Sequence, residues 1–180
     1  MGLLNARSMR NKIDYINEIL NEFSLDILCL TETWLLESDL NLICAALPRT
    51  HSIISVPRPH GNHQGGGVAV VYSLSLGNIS QISCDLVPVN YELLEVELRI
   101  HQQTLRVAVI YRPGHPGTDR GFIEEFGQFL ESFSAKSGKL VICGDFNYWI
   151  DNPHLKPFSS VFLQLGRSEL FCKSCVPSNS

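Results

Sequence analysis

Asp26-Ile27-Leu28-Cys29-Leu30-Thr31 is the stretch that decides the fold. Four consecutive apolar residues mark a strand covered on both faces, because a half-exposed strand would alternate. The pattern before it is helical. Ile13, Ile16, Ile19, Leu20 and Phe23 share one face of a helix predicted from about Arg10 to Phe23, with Ser8 placed to cap it and Ser24-Leu25 ending it. Leu3–Ala6 reads as the tail of an earlier strand. Strand, helix and buried strand in that order favour an α/β layer.

Downstream, a helix is predicted around Asp39–Leu47, and strands over Ser52–Val56 and Val68–Tyr72, with a Pro-, His- and Gly-rich loop from Pro57 to Gly67 between them. Ile79–Cys84, Tyr91–Ile100 and Leu105–Tyr111 read as consecutive antiparallel strands. Asp119 can cap a helix to about Phe133, and Leu140–Cys143 is a second short buried strand. Pro157–Leu165 is a last helical stretch before a polar tail. A run of neighbouring strands combined with βαβ units fits two packed sheets with helices outside better than one open parallel sheet.

Composition bounds the function. The chain has 180 residues, 44% hydrophobic and 18% charged, which is globular rather than disordered composition. No run approaches the roughly 20 apolar residues of a membrane span, and Met1–Ala6 lacks the basic segment and apolar core of a signal peptide. No membrane role and no obligate protein partner are expected, and any location is cytoplasmic or nuclear. A net charge of −4 argues against a broad basic nucleic-acid surface. It leaves room for a metal-assisted site, where the cation brings its own charge. Six cysteines are scattered through the chain. Cys29 and Cys143 lie inside apolar runs and read as small buried hydrophobes with reduced thiols.

The informative polar residues stand where strands end. Asn5 closes one apolar run, Glu32 follows the second, Tyr111 ends a third, and Asp145 and Asn147 follow a fourth. Two carboxylates with amides beside them make an oxygen-rich set of the kind hard Mg²⁺ prefers, keeping its waters and binding substrate phosphate. Each also has a plainer reading. Glu32 is an ordinary solvated carboxylate, Asp145 in Gly144-Asp145-Phe146-Asn147 shapes a turn, Asn5 leads into the helix, and Tyr111 fills the core. Gly65-Gly66-Gly67 lacks the Lys and Ser/Thr of a phosphate loop and reads as a turn. Cys172 and Cys175 form half a zinc knuckle without a second pair. His60, His63, His115 and His154 read as exposed loop histidines.

The motifs carry more in series than singly. Leu4-Asn5-Ala6-Arg7-Ser8, Asp26 to Trp34, Gly65-Gly66-Gly67-Val68-Ala69-Val70, Val109-Ile110-Tyr111-Arg112-Pro113 and Gly144-Asp145-Phe146-Asn147 follow one another. The series resembles the endonuclease/exonuclease/phosphatase superfamily. Within it, Asn-Ala-Arg-Ser, Thr-Glu-Thr-Trp and Tyr-Arg-Pro are similar to the apurinic-endonuclease-like domain of LINE-type retrotransposons. The resemblance runs from about Leu3 to Leu165, giving a domain over residues 1–165 and an unrelated polar tail over 166–180.

That resemblance implies a four-layer α/β/β/α sandwich, incomplete at its C-terminus, and Mg²⁺-dependent phosphodiester hydrolysis on DNA, with Mn²⁺ as an alternative ion. Asn5 and Glu32 would hold or orient the metal. Tyr111 would contact the scissile phosphate, Asp145 would position or deprotonate the attacking water, and Asn147 would orient that water or the phosphate. The chain departs from the family pattern in lacking a further metal-side Asp and a closing Ser-Asp-His. This implies weakened or lost hydrolysis. The alternatives are an inactive retroelement relic serving as an interaction module, and a phosphatase of the same superfamily.

Overall fold

The computed structural model describes residues 1–58, 65–77, 79–83, 87–100, 102–114 and 119–147, with the backbone alone of Asp119 and of 170–173. The strands are β1 (Gly2–Asn5), β2 (Ile27–Thr31), β3 (His51–Val56), β4 (Val68–Ser73), β5 (Ile79–Gln81), β6 (Glu92–Ile100), β7 (Gln103–Tyr111), β8 (Lys139–Asp145) and β9 (Leu170–Lys173). The α-helices are α1 (Ile13–Glu22), α2 (Leu40–Ala46) and α3 (Asp119–Ser134).

Two sheets result. One runs β1-β2-β4-β3, with β1 parallel to β2 and the other neighbours antiparallel. The second runs β5-β6-β7-β8-β9, antiparallel through β7 and parallel from β7 to β9. Alternation along β2 shows how they stack. Ile27 and Cys29 face the second sheet, meeting Val96, Val107, Val109 and Cys143. Leu28 and Leu30 face the other way, against Ile16 and Leu20 of α1 and Ile43 of α2. On the far side of the second sheet, Ala108, Ile110 and Ile142 meet α3 through Phe122, Phe126, Phe129 and Phe133. Those phenylalanines recur at intervals of three or four and form one helical face. Three apolar layers between four structural layers make the expected α/β/β/α sandwich. Each fully buried Leu, Ile or Phe contributes roughly 1.5–3 kcal/mol.

Several boundaries move. The first helix begins at Ile13, and Ser8 does not cap it; the N-cap is Lys12, with no side-chain bond. Ser8 has φ of 80°, and its N–H donates to the Glu32 carbonyl at 2.9 Å, so the segment is drawn to the end of β2 instead. β5 stops at Gln81 and β8 continues to Asp145. Cys29 and Cys143 are buried free thiols, as expected, and they face each other across the sheets. The hydrogen bond that the Cys143 thiol donates to Cys29, then burial, holds the thiol well above its ordinary pKa. Backbone of the expected tail appears as β9 beside β8. The predicted 157–165 helix, the boundary at Leu165, the Cys172/Cys175 side chains and the four loop histidines lie outside the described residues. Among the described residues no helix is long and apolar enough to cross a membrane.

Candidate metal and phosphate site

Register brings the predicted residues to one end of the sandwich. In the first sheet Asn5 sits opposite Thr31, and Thr31 opposite Val68, so Glu32 and Gly67 lie just beyond the same edge. In the second sheet Glu92 sits opposite Tyr111, and Tyr111 opposite Asp145. The Asn5 side chain spans the gap between sheets. Its Nδ2 donates to Glu32 Oε1 at 2.8 Å and to Asp145 Oδ2 at 2.8 Å. Its Oδ1 accepts from the Arg7 N–H at 3.2 Å, which fixes the amide's orientation. All three side chains are half-buried.

The backbone that presents Glu32 is clamped from both sides. Ala6 and Ser8 donate to the Thr31 and Glu32 carbonyls at 2.8 and 2.9 Å, and Met9 donates to Thr33 at 2.9 Å. Across the loop, Thr33 and Trp34 donate to Gly67 and Gly66 at 3.1 and 2.8 Å. The glycine triplet thus forms a tight bend, as predicted, and the bend holds the Glu32 loop. Among the described residues seven non-glycines have positive φ, and five of them, Arg7, Ser8, Glu32, Trp34 and Asn147, belong to this end. Each such residue costs of order 1–3 kcal/mol, and residues of this kind cluster at active sites and ligand clamps.

Tyr111 is buried, with its hydroxyl toward Glu32. Burial, then the charge of Glu32 and the hydrogen bond to it, raise the phenol above its ordinary value. The hydroxyl therefore stays protonated and serves as a donor. Asn147 sits one step further out. Its N–H donates to Asp145 Oδ1 at 3.2 Å, but its Nδ2 turns to the Arg112 carbonyl at 2.8 Å. Asn5, Glu32 and Asp145 therefore meet directly. Tyr111 joins them through Glu32, and Asn147 buttresses Asp145 while its amide N–H₂ is held by the Arg112 carbonyl, just past β7.

Sequence reasoning missed Arg58, Glu92 and Arg112 as parts of this end. Arg58 Nε donates to Glu92 Oε1, and its guanidinium lies 5.8 Å from the centroid of the Tyr111 ring. Glu92 Oε2 accepts from the Gly67 N–H. Burial pushes the Glu92 carboxyl upward, opposed by Arg58 and that N–H. Gly66 is required here: with φ of 78°, a β-carbon would collide with both Arg58 and Glu92. Arg112 is buried over the Phe122 ring at 5.0 Å, and its backbone N–H donates to the Asp145 carbonyl at 2.9 Å. The signals available were Glu92 within an apolar strand and Arg112 within Tyr-Arg-Pro. Nothing in the sequence pairs Arg58 with Glu92.

The sequence matches the Endonuclease/Exonuclease/phosphatase family over residues 1–174. The chain belongs to that family. Solved structures of the endonuclease/exonuclease/phosphatase type share its fold. A family protein from Leptotrichia buccalis superposes with a TM-score of 0.66 at 13% identity, covering 91% of this chain and 71% of that one. The human Nocturnin catalytic domain with bound sulfate gives 0.60 at 15%, covering 87% and 66%. D. rerio TDP2 complexed with single-strand DNA product gives 0.62 at 12%, covering 93% and 69%. The chain thus spans about two thirds of the length of these structures. No curated protein sequence matches it significantly.

The donor set of this endonuclease/exonuclease/phosphatase domain suits a hard divalent ion. Glu32 and Asp145 offer carboxylate oxygens 2.8 Å from one shared amide. Among the described residues no three His, Cys, Asp or Glu side chains come together in a way that could hold a metal ion. Mg²⁺ requires only one or two carboxylates and keeps several waters.

Proposed function

We propose that this is the endonuclease domain of a LINE-type retrotransposon and that its site hydrolyses a DNA phosphodiester with Mg²⁺. The observation that carries the reading is the Asn5 amide, hydrogen-bonded at once to Glu32 of one sheet and Asp145 of the other. An ion at Glu32 and Asn5 would polarise a phosphoryl oxygen and stabilise the charge that develops there.

The chain's own residues do the rest. Asp145 accepts a proton from the attacking water. The water oxygen bonds to phosphorus as the bond to the 3′ oxygen breaks, and that oxygen takes a proton from solvent. The products are a 3′ hydroxyl and a 5′ phosphate. Tyr111 stays protonated and donates to a phosphate oxygen. Asn147 supports Asp145 through its backbone N–H, and orients the water through its amide oxygen or the phosphate through the second hydrogen of its Nδ2. The wording Asn5-Ala6-Arg7-Ser8 and Thr31-Glu32-Thr33-Trp34 supports the retrotransposon type over a phosphatase.

The test is nicking of supercoiled plasmid. Relaxed circles should form with Mg²⁺, vanish with chelator, and be lost in Asp145→Asn and Glu32→Gln. Equal nicking by the variants would remove the assignment. A folded wild-type chain that never nicks would instead favour an inactive relic or interaction module, and release of inorganic phosphate from a lipid or nucleotide monoester would favour a phosphatase.

A further inference from the structure

We infer that Thr31 is a further positioning residue of the metal site, its buried hydroxyl accepting a hydrogen bond from a water that the divalent ion carries. The inference rests on the Mg²⁺ reading above and extends it to a residue outside the Asn5–Glu32–Asp145 cluster.

Strand alternation places Thr31. Ile27 and Cys29 point into the layer between the sheets, while Leu28 and Leu30 point away from it. Thr31, two residues past Cys29 in the same strand, shares the inner face. Register then gives the outermost cross-section of that layer. From the first sheet it holds Val56, Val68, Thr31 and Asn5, in that order across β3, β4, β2 and β1. From the second it holds Glu92, Tyr111 and Asp145 across β6, β7 and β8. Thr31 is thus the neighbour of Asn5, beneath the rim where that amide joins Glu32 to Asp145.

The other polar side chains of this cross-section are engaged. Asn5 donates to both carboxylates, and its Oδ1 accepts from Arg7. Asp145 accepts from Asn5 and Asn147, and Glu92 accepts from Arg58 and Gly67. The Tyr111 hydroxyl is bonded to Glu32. Thr31 Oγ1 is sealed from solvent and has no partner among the described residues.

Packing does not call for that hydroxyl. An unpaired buried hydroxyl destabilises a folded chain, and an apolar group of the same shape removes the penalty. Val68, fully buried and next in register, shows that valine fits this layer. The site above supplies the reason. Mg²⁺ keeps several of its waters, and each bound water turns its hydrogens away from the ion. Those hydrogens need acceptors, and a threonine hydroxyl offers two lone pairs. Groups that stand behind a metal's direct ligands in this way tune its affinity. β2 is paired on both sides over its full length, so position 31 is fixed before any ion arrives.

The experiment compares the full chain as wild type, Thr31→Val and Thr31→Ser. Thermal unfolding is followed by circular dichroism in EDTA and across a titration of Mg²⁺, so binding is read apart from turnover. In EDTA, Thr31→Val should melt about 2–6 °C above wild type, because the unpaired hydroxyl is gone. It should also need roughly ten-fold more Mg²⁺ to reach the wild-type shift. Thr31→Ser keeps the hydroxyl and loses a methyl, so it should melt below wild type and keep the wild-type Mg²⁺ dependence. A purely structural threonine would not move stability and Mg²⁺ response in opposite directions. Wild-type Mg²⁺ dependence in Thr31→Val, loss of it in Thr31→Ser, or a lower melt for Thr31→Val in EDTA would each overturn the inference. No Mg²⁺ shift in the wild type would overturn it together with the metal reading. Plasmid nicking separates the two otherwise. Mg²⁺-dependent nicking with equal Mg²⁺ dependence in wild type and Thr31→Val would sink the role of Thr31 alone, while Thr31-dependent Mg²⁺ binding without nicking would sink the hydrolysis alone.

Discussion

Replacing Asn5 by Ala tests the central geometry without any assay of turnover. The wild-type amide donates to two carboxylates at 2.8 Å each. Hydrogen bonds to charged groups contribute about 1.5–3 kcal/mol each, and half-buried acceptors belong at the low end of that range. Removing the amide also leaves Glu32 facing Asp145. Two unit charges about 5 Å apart at an effective dielectric of about 20 repel by roughly 3 kcal/mol, which solvent at this opening reduces further. Water can replace part of what is lost, so the net destabilisation without divalent ions should be about 2–4 kcal/mol. For a domain of this size each kcal/mol lowers Tm by about 2–4 °C, giving a fall of about 5–15 °C. Mg²⁺ should restore more in the variant than in the wild type, because the ion takes over the charge balance that the amide provided. An ion at ten times its Kd adds about 1.4 kcal/mol. Asn5→Asp should be worse than Asn5→Ala in chelator, and it should show a larger Mg²⁺ response. Thermal melts followed by circular dichroism, with chelator and with millimolar Mg²⁺, measure all of this. An Asn5→Ala melt matching wild type in chelator, or an identical Mg²⁺ shift in both proteins, would refute the reasoning.

Three further perturbations follow from the same contacts. The Tyr111 phenol has a folded pKa above its unfolded value of 10.0, so its stabilisation is complete below about pH 10 and is lost as the pH rises beyond it. Tyr111→Phe should flatten that alkaline decline in urea midpoint, and an unchanged slope would contradict the assignment. Gly66→Ala should cost about 3 kcal/mol or more, because its β-carbon breaks the Arg58–Glu92 pair and leaves a buried carboxylate. Gly77→Ala, with φ of 81° and nothing within 4 Å, should cost only the backbone term of about 1–2 kcal/mol, and equal losses in denaturant titration would argue against the clash. Lys136→Met should cost about 3–5 kcal/mol, since Lys136 Nζ sits 2.7 and 2.8 Å from a Glu95 carboxylate that is fully buried. Adding Glu95→Gln should recover much of that loss, and no recovery would show that the pair was not the cause.

What the sequence revealed and what it hid divide along physical lines. β2 was legible because an uninterrupted apolar run allows few conformations for a strand buried on both faces, and Ile27–Leu30 are indeed divided between two cores. α3 was legible because its phenylalanines keep helical spacing. The convergence of Asn5, Glu32 and Asp145 could be anticipated because each stands at a strand end, where side-chain position follows from register. Ser8 misled because local capping preference competes with tertiary hydrogen bonds. Its N–H goes to Glu32 across the β1–β2 pair, and its φ of 80° excludes the cap. Arg58 and Glu92 are 34 positions apart, and Arg58 lies in a Pro- and Gly-rich loop without periodicity, so no local pattern could pair them. The positive φ of Glu32 and Trp34 was equally hidden, since neither residue type favours it and the backbone bonds that hold them, from Ser8 to Glu32 and from Trp34 to Gly66, are tertiary.

One structural dependence follows from the site's position. Glu32 belongs to the first sheet and Asp145 to the second, and the Asn5 amide joins them at the rim. Behind that rim, the separation of the sheets is set by apolar packing of Cys29, Val70, Val96, Val109 and Cys143, all essentially sealed from solvent. Interiors are close-packed, and a change of one methylene at such a place is felt by its neighbours. A cavity or an added methyl there shifts one sheet against the other, and the two carboxylates move with the strands that carry them. A displacement of about 1 Å far from the reacting atoms can cost on the order of a hundred-fold in rate. The apolar layer between the sheets therefore sets the geometry of the Glu32–Asp145 site. For equal losses of stability, substitutions in that layer should impair a Glu32–Asp145 site more than substitutions in the layer under α3, which touches the second sheet alone.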